Sequence, residues 1–185
     1  MTRLPLFIVV ALLVNLPFQA ASAQGAAAKS SSGNRVAIIE TVMKRTGRVP
    51  DFTYRDGSKV TSFAEMTAGK VVVLNFWTTW CGPCRKEIPD LIELSREMAP
   101  KGVIVVGMSL DQADNRSTLV KGFVDKMNIP YPNFLDNSEF QLAEAFGGIQ
   151  SVPTTYIIDR KGVVVQRIIG STTKAAFAEA VGKAL

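Results

Sequence analysis

Two cysteines, Cys81 and Cys84, are the only thiols among 185 residues, and they stand two residues apart in Trp80-Cys81-Gly82-Pro83-Cys84. A pair at this spacing can close a disulfide within one helical turn and open it again by exchange with another disulfide. The rest of the composition removes competing uses of cysteine. Histidine is absent, which excludes Ser-His-Asp and Cys-His nucleophiles, His-ligated haem and most zinc or copper sites. Two thiolates cannot complete a four-ligand zinc site alone. Arg85, not histidine, follows Cys84, so the pair is not a c-type haem attachment site. An inert structural staple is a poor alternative, because so short a loop removes little chain entropy. No metal is expected, and no cofactor beyond a redox-active Cys81–Cys84 disulfide.

Chemistry of this kind needs a position that favours a thiolate. Residues 71–76 are an apolar run interrupted only by Asn75, the mark of a buried central strand. Residues 83–99 read as a helix with Ile88, Leu91, Ile92 and Met98 on one face. Cys81 then lies at a helix N-terminus, where unpaired N–H groups and the positive dipole end stabilise an anion. Its thiol is expected to be more acidic than a free one, at about 8.5. Gly82 permits the tight approach, Pro83 is preorganised for the first helical turn, and Arg85 adds positive charge. The expected cycle has two steps: Cys81 attacks a substrate disulfide, and Cys84 resolves the mixed disulfide. Glu87 stands three residues after Cys84, on a neighbouring helix face. It either simply suits the helix dipole or accepts and relays the Cys84 proton.

The elements around the pair follow from patterning. Residues 103–110 read as a second buried strand. Residues 116–127 read as a helix with Leu119, Phe123 and Met127 in register, and 138–146 as another with Leu142 and Phe146. Residues 154–158 and 163–169 bracket Asp159-Arg160-Lys161-Gly162 as an antiparallel hairpin, and 174–184 close the chain as a helix with Phe177 and Val181 inward. Upstream, residues 51–54 and 59–61 flank the turn signal Asp56-Gly57. A short helix is expected over 36–44, with Val36, Ile39 and Met43 at helical spacing. Pro89 is expected to kink the helix that follows the cysteines. A parallel βαβ unit extended by a hairpin gives an α/β fold, a mixed central sheet with helices on both faces.

The ends carry other information. Arg3, an apolar run from Leu4 to Leu16 and the triplet Ala21-Ser22-Ala23 form a secretory signal pattern, with cleavage expected after Ala23. The alternative is an uncleaved membrane anchor, although Asn15, Pro17 and Gln19 interrupt the span. The expected organisation is a signal peptide over 1–23, a linker with a short helix over 24–48, and one domain over 49–185. The formal charge is +5. Its basic residues form small separate groups: Lys44, Arg45 and Arg48; Arg85 and Lys86; Arg160 and Lys161. They read as solvated surface, so no nucleic-acid partner is expected.

The segment Asn75-Phe76-Trp77-Thr78-Thr79-Trp80-Cys81-Gly82-Pro83-Cys84-Arg85-Lys86-Glu87-Ile88-Pro89 resembles the active-site stretch of the thioredoxin superfamily, and more closely its exported TlpA/ResA-like branch. Ser151-Val152-Pro153-Thr154-Thr155 resembles the cis-proline loop of that fold. The resemblance runs from about Val49 to the end. It implies a thioredoxin fold with an N-terminal β-hairpin and an inserted helix-containing segment. It implies that Pro153 is cis and faces the Cys pair, and that Val152 lends backbone hydrogen bonds to a substrate strand beside Trp80, Gly82 and Pro83. TlpA/ResA-like relatives resemble this chain in carrying an acid at Glu87. Cytoplasmic thioredoxins place a buried Asp where this chain has Asn75, which cannot exchange a proton. Trp77 and Trp80 are expected to pack around the site, with Trp80 also shaping the substrate face.

By resemblance, the chain is expected to be a periplasmic thiol–disulfide oxidoreductase. Its cysteines would be kept reduced by a membrane electron-donor protein. Its clients would be protein disulfides of the cytochrome c maturation or metal-site assembly type. A disulfide oxidant or isomerase of secreted proteins would use the same residues. A binding module that docks a client or metallochaperone without turnover is a third reading.

Overall fold

The computed structural model of the chain describes residues 36–185, and the signal pattern and residues 24–35 of the linker lie outside them. The central motif is the expected one. Strand β4 (Val71–Trp77) leads into helix α2 (Gly82–Met98), a 3-10 turn over Ala99–Lys101 and strand β5 (Val103–Ser109), which pairs with β4 in parallel. Alternation along β4 explains why its sequence is apolar at every position but Asn75. Val71, Val73 and Trp77 join a core layer with Ile88 and Leu91 of α2, while Val72, Leu74 and Phe76 enter a second layer on the other face. Asn75 shares the parity of Val73 and Trp77, so it points toward α2.

Strand β7 (Thr154–Ile158) adds antiparallel to β4, and β8 (Val164–Ile169) adds antiparallel to β7 as an edge. The closing helix α5 (Lys174–Gly182) packs on α2 and buries Phe177 and Val181 as expected. On the other side of β5 the sheet continues through β6 (Asn133–Leu135) and β1 (Val36–Met43), both parallel to it, then β2 (Asp51–Asp56) and β3 (Lys59–Ser62). The order is β3-β2-β1-β6-β5-β4-β7-β8. The β2–β3 hairpin closes through Gly57-Ser58, with Gly57 at φ +63°, a conformation glycine adopts without steric cost. The remaining helices are short α1 (Phe63–Met66), α3 (Arg116–Lys126) and α4 (Gln141–Ala145).

Three expectations are corrected. The short helix expected over 36–44 is strand β1, so the sheet starts at Val36, ahead of the expected boundary at Val49. Its apolar spacing misled because the β1–β2 register shifts between Ile39 and Thr41, breaking strict alternation. The extended form is imposed by pairing on both sides, with Val36, Ala37 and Ile38 opposite Asn133, Phe134 and Leu135 of β6. In α3 the inward face is Val120 and Val124, both fully buried, while Leu119 is 43% exposed and Phe123 and Met127 are half-buried. The helix expected over 138–146 shortens to α4, because Phe140 adopts a left-handed conformation at φ +53°. The buried carboxylate of Asp136 accepts the N–H groups of Leu142 at 3.2 Å and Ala143 at 2.9 Å at the start of α4.

Candidate active site

Strand β4 ends at Trp77, and the loop Thr78-Thr79-Trp80 carries the chain into α2. That loop is held by a residue the sequence reading did not single out. Asp111, 4% exposed, accepts the Thr79 N–H at 2.9 Å, the Thr79 hydroxyl at 2.6 Å and the Ser109 hydroxyl at 2.8 Å. The Leu110 N–H donates to the Trp77 carbonyl at 2.9 Å, lashing the exits of β4 and β5 together. Topology carried the available signal. Two parallel neighbours deliver their following loops to the same end of the sheet, so a polar residue just after β5 lies beside the loop after β4.

Cys81 caps the N-terminus of α2. Its Sγ accepts the Cys84 N–H at 3.1 Å, and its carbonyl accepts the Arg85 N–H at 3.1 Å. Cys81 and Cys84 are disulfide-bonded, with Cα atoms 5.3 Å apart. Their exposure differs. Cys81 keeps 4% of its surface in solvent and Cys84 none, so Cys81 is the sulfur a partner can reach. Gly82 opens the helix and Pro83 occupies its first turn. Pro89 lies inside α2, which runs unbroken through it to Met98.

The Val152–Pro153 peptide bond is cis. The Val152 carbonyl oxygen lies 3.6 Å from Cys81 Sγ, and the Pro153 carbonyl accepts the Gly170 N–H at 2.8 Å from the end of β8. The two tryptophans part company. Trp77 is 1% exposed and packs against Phe123, whereas Trp80 is 71% exposed beside Cys81. Trp80 is therefore a free indole face at the mouth of the site rather than a packing residue.

Beneath the pair, Glu87 is 2% exposed and has no cationic partner among the described residues. Its Oε1 accepts the Asn75 side-chain N–H at 2.8 Å, and its Oε2 accepts the Thr172 backbone N–H at 3.3 Å. The same Asn75 amide nitrogen donates to the Thr155 hydroxyl at 2.9 Å. Burial pushes the Glu87 carboxyl up to about 7, partly offset by the Asn75 and Thr172 hydrogen bonds, while nearby Asp90 adds to the rise. Burial also raises the Tyr131 phenol, with the Glu87 charge adding to it. Asn75 thus holds the carboxylate that the sequence reading weighed separately from it.

The site brings Trp80, Cys81, Gly82, Pro83, Cys84 and Glu87 onto one loop-and-helix segment and sets Val152 and Pro153 against Cys81. A surface-facing sulfur, a sealed sulfur and a buried acid near neutrality are a set that can exchange a disulfide and handle the attendant proton.

Comparison with known proteins agrees. Residues 46–167 match the model of the AhpC/TSA family. The chain is 36% identical over 127 residues to the thioredoxin-like protein YneN of Bacillus subtilis (strain 168), covering 69% of this chain and 72% of that one. It is 39% identical over 106 residues to the thiol-disulfide oxidoreductase ResA of Bacillus anthracis, covering 57% of this chain and 58% of that one. The chain therefore spans less than two thirds of the ResA relative. Among solved structures, it resembles a thioredoxin-family thiol:disulfide interchange protein from Chlorobium tepidum TLS at TM-score 0.63 and 32% identity, over 76% of this chain and 97% of that one. With its thioredoxin fold and Cys81–Cys84 pair, the chain belongs to the AhpC/TSA family, among its thiol–disulfide oxidoreductases.

Proposed function

We propose that this oxidoreductase works in the cell envelope as a reductant of protein disulfides. The observation that carries the mechanism is the unequal exposure of the two sulfurs above a buried acid. In the reduced form, Cys81 attacks a substrate disulfide as a thiolate, supported by the Cys84 N–H and the α2 dipole. A bond forms between Cys81 and one substrate sulfur, and the other leaves and takes up a proton. Cys84, having given its proton toward Glu87, attacks Cys81 Sγ. The second substrate sulfur departs as a thiol, and the Cys81–Cys84 disulfide forms. Two electrons and two protons pass to the substrate, so no further cofactor is required. Val152 offers backbone hydrogen bonds to the substrate strand, while Trp80, Gly82, Pro83 and Pro153 shape the surface it meets.

The N-terminal signal pattern supports export to the periplasm, by a cleaved signal or a retained anchor. An oxidising compartment makes a membrane electron donor necessary for a reductant. The Gly82-Pro83 dipeptide, similar to that of reducing thioredoxins, supports the direction. The resemblance to TlpA/ResA-like proteins supports clients of the cytochrome c maturation or metal-site assembly type. Equilibration with thiol/disulfide buffers, read through Trp77 and Trp80 fluorescence, tests the direction. A reduction potential near about −270 mV fits a reductant, and one near about −120 mV makes the protein a disulfide donor instead.

A further inference from the structure

At the end of the sheet away from the cysteines lies a second concave feature. The start of β4 at Val72 pairs with the end of β7 at Ile158, whereas the Cys81 end of β4 pairs Phe76 with Thr154. Beside Val72 and Ile158 the chain leaves a cleft of about 260 Å³. Five basic side chains line it: Arg45 and Arg48 from the β1–β2 connection, Lys70 from the turn before β4, and Arg160 and Lys161 from the β7–β8 turn. These come from three distant stretches, so the sequence showed only small separate groups.

Their partners divide them. Lys70 donates to the Met66 carbonyl at 2.7 Å, and Arg160 donates to the Leu185 and Lys101 carbonyls at 2.8 and 3.4 Å. Arg45, Arg48 and Lys161 make no side-chain hydrogen bond or ion pair among the described residues. The one acid in the lining, Asp159, is committed to its own turn, accepting the Lys161 and Val163 N–H groups at 2.9 Å each. The two basic loops are tied to each other. The Val49 N–H donates to the Gly162 carbonyl at 2.8 Å, and the Arg48 stem packs close enough to Gly162 that a Cβ there would sit 3.7 Å from Arg48 Cδ. Arg48 is therefore held against the turn that carries Lys161. Buried Val49, Phe63, Val72 and Ile158 form an apolar floor, and a low-dielectric floor strengthens any ion pair formed above it.

We propose that this cleft binds a phosphate-type oxyanion. Arginine forks match phosphate geometry, two of the guanidinium groups are uncommitted, and the volume accommodates such a group with its substituent. The oxyanion is either free or carried on an anionic lipid headgroup.

The test uses the full-length protein at low ionic strength, titrated with inorganic phosphate and, separately, with vesicles of phosphatidylglycerol or of phosphatidylcholine. The variants are the double charge reversal Arg45→Glu/Arg48→Glu and the milder Arg48→Gln and Lys161→Gln. Rates of thiol–disulfide exchange, set at the far end of the sheet, report that each variant is folded. Saturable phosphate binding that weakens at least tenfold in the double reversal, and less in the glutamine variants, supports a free-ion site. Retention on phosphatidylglycerol but not phosphatidylcholine vesicles, with the same loss, supports a headgroup site. If the double reversal does not fold, the two glutamine variants carry the same comparison. Binding of both probes that is absent, or equal in wild type and folded variants, overturns the proposal.

Discussion

The two ends of the central sheet handle polarity in opposite ways. At the cysteine end, Asn75, Glu87 and Asp111 are buried, and each is hydrogen-bonded to named groups. At the opposite end, Arg45, Arg48, Arg160 and Lys161 are exposed, and three of their four side chains are unengaged. A buried polar group without a partner costs several kilocalories, so burial enforces geometry. An exposed cation carries no such penalty and keeps its rotamer freedom. The first end can position atoms for a reaction, and the second can attract charge with little structural commitment.

That contrast predicts a ranking of mutational effects. The largest belongs to Asp111→Ala, which strands the Thr79 N–H and the buried Ser109 hydroxyl and releases the loop before Cys81. Denaturant unfolding should show a loss of about 3 kcal/mol, together with slower disulfide exchange. A loss below about 1 kcal/mol would mean the loop is held by other contacts. Glu87→Gln comes next, and its effect depends on pH. The carboxyl is raised in the folded state from 4.5 to about 7, so the folded protein binds more protons than the unfolded chain between those values. Stability from this group is full below about pH 4.5 and lost as pH rises through 7, by at most about 3 kcal/mol. The variant should therefore gain on wild type between pH 5 and pH 8 in urea titrations, and the inflection near pH 7 in its exchange rate should flatten. Parallel stability curves for the two proteins would remove Glu87 as a titrating group. The smallest effect is Arg48→Ala, expected to shift unfolding by less than about 0.5 kcal/mol at any pH. A larger shift would show that the basic end is structurally committed after all.

Legibility in the sequence followed the same division between local and assembled features. The strand–Cys-x-x-Cys–helix unit was readable because a short span holds its whole determinant: an apolar run, a helix-compatible face, Gly82 and Pro83. The β2–β3 and β7–β8 hairpins announced themselves through their turns. Pro153 was identified as cis by resemblance, since residue types alone do not distinguish the isomers. Strand β6 is three residues long and sits between Pro132 and Asp136, too short for any periodicity to appear. Strand β1 carries a register shift and is extended because both neighbours pair with it. Asp111 and the basic cleft gain meaning only once distant stretches meet. Gly107 belongs with them. It reads as an interruption in an apolar strand, yet a Cβ there would collide with the Asn133 side chain and approach the Trp77 indole nitrogen to 2.9 Å.

The sealing of Cys84 has a temporal consequence. Under the proposed cycle a client is joined covalently through Cys81, and the group that frees it is one that solvent thiols cannot touch. Release by this internal route is timed by how quickly Cys84 sheds its proton and swings onto its neighbour, whereas a thiol from outside can free the client only by attacking the mixed disulfide at Cys81 itself.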